Sequence, residues 1–159
     1  MAAGGAMDPA GDDFSMHLRR AYLSMHRRAN ANFARYAMTA DQHVVLTALA
    51  RAGSATQQDL VRRVHSDPNT VRAILGRLER QGLVARAPHA TDGRARAVTL
   101  TERGVAAQRE LEEFNDGFQT ELESLFRPAE LEAFLGYLGR VTRAMSSSGR
   151  RTSRRCPTS

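Results

Sequence analysis

The stretch from Asp67 to Gly82, DPNTVRAILGRLERQG, constrains the fold of this chain more than any other. Val71, Ile74, Leu75 and Leu78 recur at i, i+3, i+4 and i+7, which places all four on one side of a helix and marks that side as buried. Asp67 is a preferred N-cap, and Pro68 suits the first helical position, where its missing N–H has no helical partner. Gly82 is placed to end the helix in a left-handed conformation. The opposite face centres on Asn69, Ala73, Gly76 and Arg80, with Arg72 on one side and Thr70 and Arg77 on the other. Small residues let a helix backbone approach a surface, and flanking arginines reach phosphates. Asn can pair bidentately with adenine, and Thr can pack on a thymine methyl. A major-groove helix needs these features, but an ordinary amphipathic helix with a solvated basic face shares them, so the flanking sequence has to decide.

Charge is unevenly spread. Residues 51–96 hold nine Arg against four acidic residues, whereas residues 97–146 hold five Arg against nine. The basic density surrounds the 67–82 helix, as a nucleic-acid footprint requires. All 23 Lys-or-Arg positions are Arg. The 159 residues suit one domain, and no apolar run approaches the roughly 20 residues of a membrane helix. The N-terminus MAAGGAMDPAGDD lacks a basic segment followed by an apolar one, so a secretory signal is not expected and the cytoplasm is the expected location. The single cysteine, Cys156, sits in the polar tail without a partner, which argues against a disulfide or a thiol switch.

In chain order, residues 1–12 are small, Gly-rich and acidic and read as disordered. From Phe14, an apolar stripe through Leu18, Tyr22, Met25, Ala29, Phe33 and Tyr36 describes a long amphipathic helix that needs a packing partner. Thr39 and Gln42 form a capping box for a second helix with Val45, Leu46 and Leu49 inward, stopped by Gly53. Thr56 caps a short third helix with Leu60, Val61 and Val64 inward, and His65-Ser66 turns directly into the 67–82 helix. Two short helices joined by a tight turn, the second with a basic outer face, make a helix-turn-helix. After Gly82 the period becomes about 2. Leu83–Ala87 and Arg96–Leu100 read as strands of a hairpin, with Pro88, Asp92 and Gly93 as turn residues and Arg94 and Arg96 near the tip. An arginine on a thin hairpin can enter a minor groove. From Thr101 a long helix carries Leu111, Phe114, Phe118, Leu122 and Leu125. Pro128 opens another with Leu131, Phe134, Leu135, Leu138 and Val141, and residues 146–159 read as a disordered basic tail.

The segments TADQHVVLTAL, TQQDLVRRV, DPNTVRAILGRLERQGLVAR and DGRARAVTLTERG resemble, in order and spacing, the MarR family of bacterial winged helix-turn-helix regulators. The resemblance runs from Thr39 to Gly104 and includes the wing's Asp92-x-Arg94 and the Leu100-Thr101-x-x-Gly104 signature. It implies a mainly α fold with a small β-hairpin wing: one winged helix-turn-helix domain over residues 13–145. The DNA-binding lobe would span about 39–101, and dimerisation helices would span about 13–37 and 102–145. It also implies a homodimer on palindromic double-stranded DNA. Asn69, Thr70, Arg72 and Arg77 would lie in the major groove and Arg94 in the minor groove braced by Asp92, while Arg96, Gln57 and Gln58 would meet the phosphate backbone. The extensive apolar stripes agree independently with a shared dimer core.

Relatives of this kind often bind small phenolic or carboxylate effectors between the dimer helices and the DNA-binding lobe. Tyr22, His26, Phe33, Tyr36 and His43 are the candidates to line such a pocket, and they also suit core and dimer contacts. The expected role is therefore a dimeric regulator, a repressor relieved by such an effector. The alternatives are a nonspecific DNA-coating protein and a winged-helix module for protein interaction. His17, His26 and His43 form no closely spaced ligand cluster, so neither a metal nor a cofactor is expected. The chain has no Gly-rich phosphate loop, nucleophile elbow or zinc-hydrolase motif, so an enzyme is not expected either.

Overall fold

The structure, a computed structural model, describes residues 13–88 and 96–147. Among these residues the order is α1 (Phe14–Phe33), a 3-10 turn (Ala34–Tyr36), α2 (Ala40–Ala52), β1 (Ser54–Thr56), α3 (Gln57–Val64) and α4 (Pro68–Arg80). Then follow β2 (Val84–Pro88), β3 (Arg96–Leu100), α5 (Glu102–Glu123) and α6 (Pro128–Ser147). None of these helices is long and apolar enough to cross a membrane. The chain divides into two compact units, with the boundary after residue 115, inside α5.

In the first unit, local chemistry sets each helix boundary. Asp13 accepts from the Met16 N–H at 3.0 Å to start α1. The long helix expected from Phe14 through Tyr36 is interrupted, because the last turn tightens to 3-10 and Ala37 takes a left-handed φ of 53°. The Thr39–Gln42 capping box forms as expected, with Gln42 N–H to Thr39 Oγ1 at 3.2 Å and Thr39 N–H to Gln42 Oε1 at 3.0 Å. A second capping box, Thr56 with Asp59, starts α3, where the sequence pattern pointed to Thr56 alone as the cap. His65 ends α3 in a left-handed conformation, φ 51°.

Asp67 Oδ1 accepts from the N–H groups of Asn69 and Thr70 at 3.0 and 2.9 Å, with Pro68 in the first turn of α4. At the other end Gly82 takes φ 69°. Its N–H reaches the Glu79 carbonyl and that of Leu83 reaches the Leu78 carbonyl, both at 2.9 Å, a double closure that a left-handed residue makes possible. Leu46, Leu49, Leu60, Val71, Leu75 and Leu78 are fully buried and form the core of this lobe, whereas Ile74, Val61 and Val64 are only half-buried.

The sheet differs from the expected hairpin in having a third strand. Residues Ser54–Thr56 pair antiparallel with β3, Ala55 opposite Val98, and the order is β1-β3-β2. Three residues are too few to show a period-2 pattern, and β1 is held by β3 rather than by any propensity of its own. Strand β2 also runs to Pro88, one residue beyond the expected end.

The Thr101-x-x-Gly104 segment joins this sheet to α5. Thr101 Oγ1 donates to the Gly82 carbonyl at 2.7 Å and accepts from the Gly104 N–H at 3.0 Å, so one hydroxyl caps α5 and ties it to the end of α4. Thr101 N–H meets the Leu83 carbonyl at 3.1 Å. Gly104 is buried against that carbonyl, where a Cβ would overlap its oxygen. The second unit contains the end of α5 and α6. Within it Phe126 stacks on Phe134 at 5.3 Å, while Leu135 and Tyr137 are exposed at 58% and 60%.

Candidate nucleic-acid interface

With Val71, Leu75 and Leu78 wholly buried, the orientation of α4 about its axis is fixed, and its other face is necessarily outward. Asn69, Thr70, Arg72, Ala73, Arg77 and Arg80 are all exposed there. Among the described residues Arg72, Arg77 and Arg80 form no ion pair, so three guanidinium groups are free for an external anion. Glu79, the one acidic residue of α4, is drawn away by Arg86 of β2, whose Nε lies 3.2 Å from its carboxylate. Hydrogen bonds from the Thr70 side chain and the Thr70 N–H hold the Asp67 carboxyl below its ordinary range, so it stays an anionic cap at neutral pH.

Gln57 and Gln58 diverge. Gln57 Nε2 donates to the Pro68 carbonyl at 3.2 Å, tying the start of α3 to the start of α4, whereas Gln58 is exposed. Arg96 opens β3, is exposed and is unpaired among the described residues. Asp92 and Arg94 lie outside the described residues, as do the hairpin tip, the N-terminal segment and the tail with Cys156.

The five effector candidates separate into two clusters in the first unit. Tyr22 stacks on His26 at 5.5 Å. His26 Nδ1 accepts from the Asn30 amide at 3.2 Å, which leaves the proton on Nε2 to donate to Asp41 Oδ1 at 3.2 Å. Asn30 Oδ1 in turn accepts from the Ala40 N–H at 2.8 Å, so this cluster joins α1 to the start of α2. Phe33 and His43 form the second cluster. Both are buried and stack on each other at 4.8 Å, with Phe114 packed edge-on against Phe33 and tilted against Tyr36. His43 Nε2 lies 3.4 Å from Thr47 Oγ1. Burial pushes its pKa down, with Glu112 opposing, so the ring is neutral at pH 7. His43 is thus packed and bonded within its own lobe, and no open space separates it from Phe33.

A cavity of about 370 Å³ lies elsewhere in this unit. It is bounded by Tyr36, Ala37 and Met38 after α1, Gln81 and Leu83 after α4, and Arg103, Ala106, Ala107, Glu110 and Leu111 on α5. Of the five candidates only Tyr36 lines it. Gln81 links this wall to α2. Its Oε1 accepts from buried Gln42 Nε2 at 3.1 Å, and its own Nε2 donates to the Ala37 carbonyl at 3.4 Å. Sequence reasoning misses Gln81 and Arg103 altogether and finds Gln42 only as half of a capping box. A glutamine pair 39 positions apart leaves no periodic signal.

Comparison with known proteins gives a consistent picture. Residues 38–95 match the MarR family profile. The chain is similar to the HTH-type transcriptional repressor NicR of Pseudomonas putida, 37% identical over 93 residues, a span of 56% of this chain and 56% of NicR. The fold is similar to Bordetella bronchiseptica BpsR, whose DNA binding is regulated by 6-hydroxynicotinic acid. There the identity is 30%, 82% of this chain and 94% of BpsR are covered, and the TM-score is 0.77. It is also similar in fold to Staphylococcus aureus MepR in its DNA complex, at 23% identity, with 85% and 99% covered and a TM-score of 0.78.

Proposed function

Because the chain belongs to the MarR family of winged-helix transcriptional regulators, we propose that it is a cytoplasmic, dimeric, sequence-specific repressor released from its operator by a small aromatic or heteroaromatic acid. The observation that carries the DNA-binding part is the outer face of α4, where an amide, a hydroxyl and three arginines that form no ion pair among the described residues stand exposed on a helix locked in orientation by its buried side. In this reading Asn69 and Thr70 read base edges, and Arg72 and Arg77 reach the two phosphate walls of the major groove. Gln58 and Arg96 meet the backbone. Arg94 enters the minor groove with Asp92 beside it.

Dimerisation is supported by apolar faces that each unit leaves open: Phe14, Tyr22 and Met25 on α1 in the first, and Phe134, Leu135, Tyr137 and Met145 on α6 in the second. Exposed apolar stripes of that extent mark interfaces. Two-fold symmetry then calls for a palindromic operator with half-sites about one helical turn, roughly 10 base pairs, apart. The effector part is supported by similarity to BpsR, and NicR supports repression as the sign of regulation.

The test is fluorescence anisotropy on the DNA flanking the protein's own gene, against a scrambled duplex of equal composition, across a salt series. A preference of about a thousandfold or more is expected. Equal affinity for both duplexes would replace this reading by a DNA coater, and no affinity at low salt by a protein-interaction module.

A further inference from the structure

Resting on the dimeric reading above, we infer that Gln42 and Gln81 are positioning residues for operator binding. Their paired side chains set the angle between the recognition helix α4 and the elbow after α1, and so decide whether two subunits engage two half-sites at once. The two amides are oriented by their partners. Gln42 Oε1 is taken by the Thr39 N–H at 3.0 Å, which turns Gln42 Nε2 toward Gln81 Oε1 at 3.1 Å and leaves Gln81 Nε2 to donate to the Ala37 carbonyl at 3.4 Å. Three hydrogen bonds thus join the start of α2, the end of α4 and the elbow at Ala37–Thr39. Gln42 is only 3% exposed, and a buried amide is costly to leave unbonded, which keeps the relay closed.

The elbow needs such a hold. Ala37 has φ 53°, a left-handed conformation that a non-glycine residue keeps only where its surroundings fix it. Ala37, Met38 and Gln81 border the cavity of about 370 Å³, so on that side hydrogen bonds hold the elbow where packed side chains do not. The start of α4 is tied to α3 by Gln57 and the Pro68 carbonyl at 3.2 Å, which leaves the bonds at Gln81 to fix its far end. Over the 13 residues of α4, roughly 20 Å, a displacement of about 1 Å at Gln81 turns the helix axis by about 3°. A single half-site can follow that turn. Two half-sites on one duplex cannot, because α1 carries the exposed Phe14, Tyr22 and Met25 proposed to meet the partner subunit, so the angle at the elbow sets each reading head against the two-fold axis. Binding through two heads exceeds binding through one by an effective concentration, and that gain is lost when geometry keeps the second head off its half-site.

The experiment compares, by fluorescence anisotropy, the full palindromic operator from the flanking DNA with a short duplex that holds a single half-site. It uses the full chain as wild type, Gln81→Met, Gln42→Met and the double variant. Gln81→Met removes both bonds of the Gln81 side chain and leaves the Thr39–Gln42 capping box intact, whereas Gln42→Met also loses half of that box. Each single variant is expected to lower full-operator affinity by about tenfold, the size of one or two neutral hydrogen bonds, and to bind the single half-site within about twofold of wild type. Because both residues act through one link, the double variant is expected to bind the full operator about as well as the weaker single variant, instead of showing the product of the two losses. Equal losses on both duplexes would reduce the pair to a structural role and overturn the inference. Losses that multiply in the double variant, or unchanged full-operator affinity in Gln81→Met, would also overturn it while leaving the dimer standing. A wild-type protein that binds the full operator no more tightly than the half-site would overturn the dimeric reading and the inference with it.

Discussion

Replacing Gly104 by alanine isolates the contact that joins α5 to the wing. In an open helix the change would stabilise by about 1 kcal/mol through helix propensity. Here the new Cβ would overlap the Leu83 carbonyl oxygen and stand 2.9 Å from its carbon, so that carbonyl must retreat by about 1 Å to restore a carbon contact of ~3.5–4.0 Å. It is not free to do so. It accepts from the Thr101 N–H at 3.1 Å, and the preceding Gly82 carbonyl accepts from Thr101 Oγ1 at 2.7 Å. Breaking both bonds costs about 1 kcal/mol each, and overpacking beside buried Leu83 adds about 1–3 kcal/mol. After the propensity gain, Gly104→Ala should destabilise by about 2–4 kcal/mol. Urea unfolding at fixed protein concentration measures this as a lower midpoint with unchanged slope. A variant within about 0.5 kcal/mol of wild type, the usual range for changes that touch nothing, would refute the claim that this glycine exists for close approach.

Arg72→Gln and Arg77→Gln should each flatten the salt dependence of operator binding, by about 0.9 in log–log slope for each phosphate no longer neutralised. A change in base preference with unchanged slope would instead make them base readers. Asn69→Ala should reduce discrimination within the half-site by about 1–3 kcal/mol while leaving that slope alone, read from a panel of single-base operator variants. The Asp67 carboxyl is depressed in the fold, so its contribution is complete above the unfolded value of about 3.9 and is lost as pH falls through the folded one. Asp67→Ala should therefore melt below wild type at pH 7, with the gap closing below about pH 4. His43 is depressed by burial, so the unfolded chain takes up its proton first and stability declines as pH falls below about 6.5. His43→Gln should flatten the melting temperature across that window, and an unchanged pH profile would mean that the ring is not held neutral.

The parts of the fold legible in sequence are those written in short-range chemistry. Asp67-Pro68 and Gly82 mark α4 because an N-cap, a first-turn proline and a left-handed stop are each local requirements. The exposed face of α4 follows from its buried one by periodicity alone. Strand β1 escaped because its conformation is imposed by β3, more than 40 residues away. The break before Ala37 escaped because an alanine gives no warning of a positive φ. What the candidate effector residues touch was not legible in the sequence. Phe33 and His43 have the aromatic and imidazole chemistry of a ligand pocket but use it on each other. Arg103 and Glu110 read as ordinary charges on a helix surface until the turn after α4 is folded against them.

The fixing of α4 separates what reads DNA from what orients the reader. Its start is held by Asp67 and by Gln57 reaching the Pro68 carbonyl, and its end by the Gly82 closure, the Thr101 hydroxyl and the Gln42–Gln81 pair. Of these contacts only the Asp67 cap involves an outer-face side chain, the hydroxyl of Thr70, so operator preference can change by substitution at Asn69, Arg72 or Arg77 without loss of helix position. The converse also holds. A perturbation of the frame at Gln81 should move the whole outer face as one body, changing affinity for every operator by a common factor instead of altering which base is preferred. The ratio of affinities for two operators should thus be the same in wild type and in Gln42→Met, which removes the Gln42–Gln81 pair. A ratio that shifts in Gln42→Met would show that the pair acts on the reading side chains themselves.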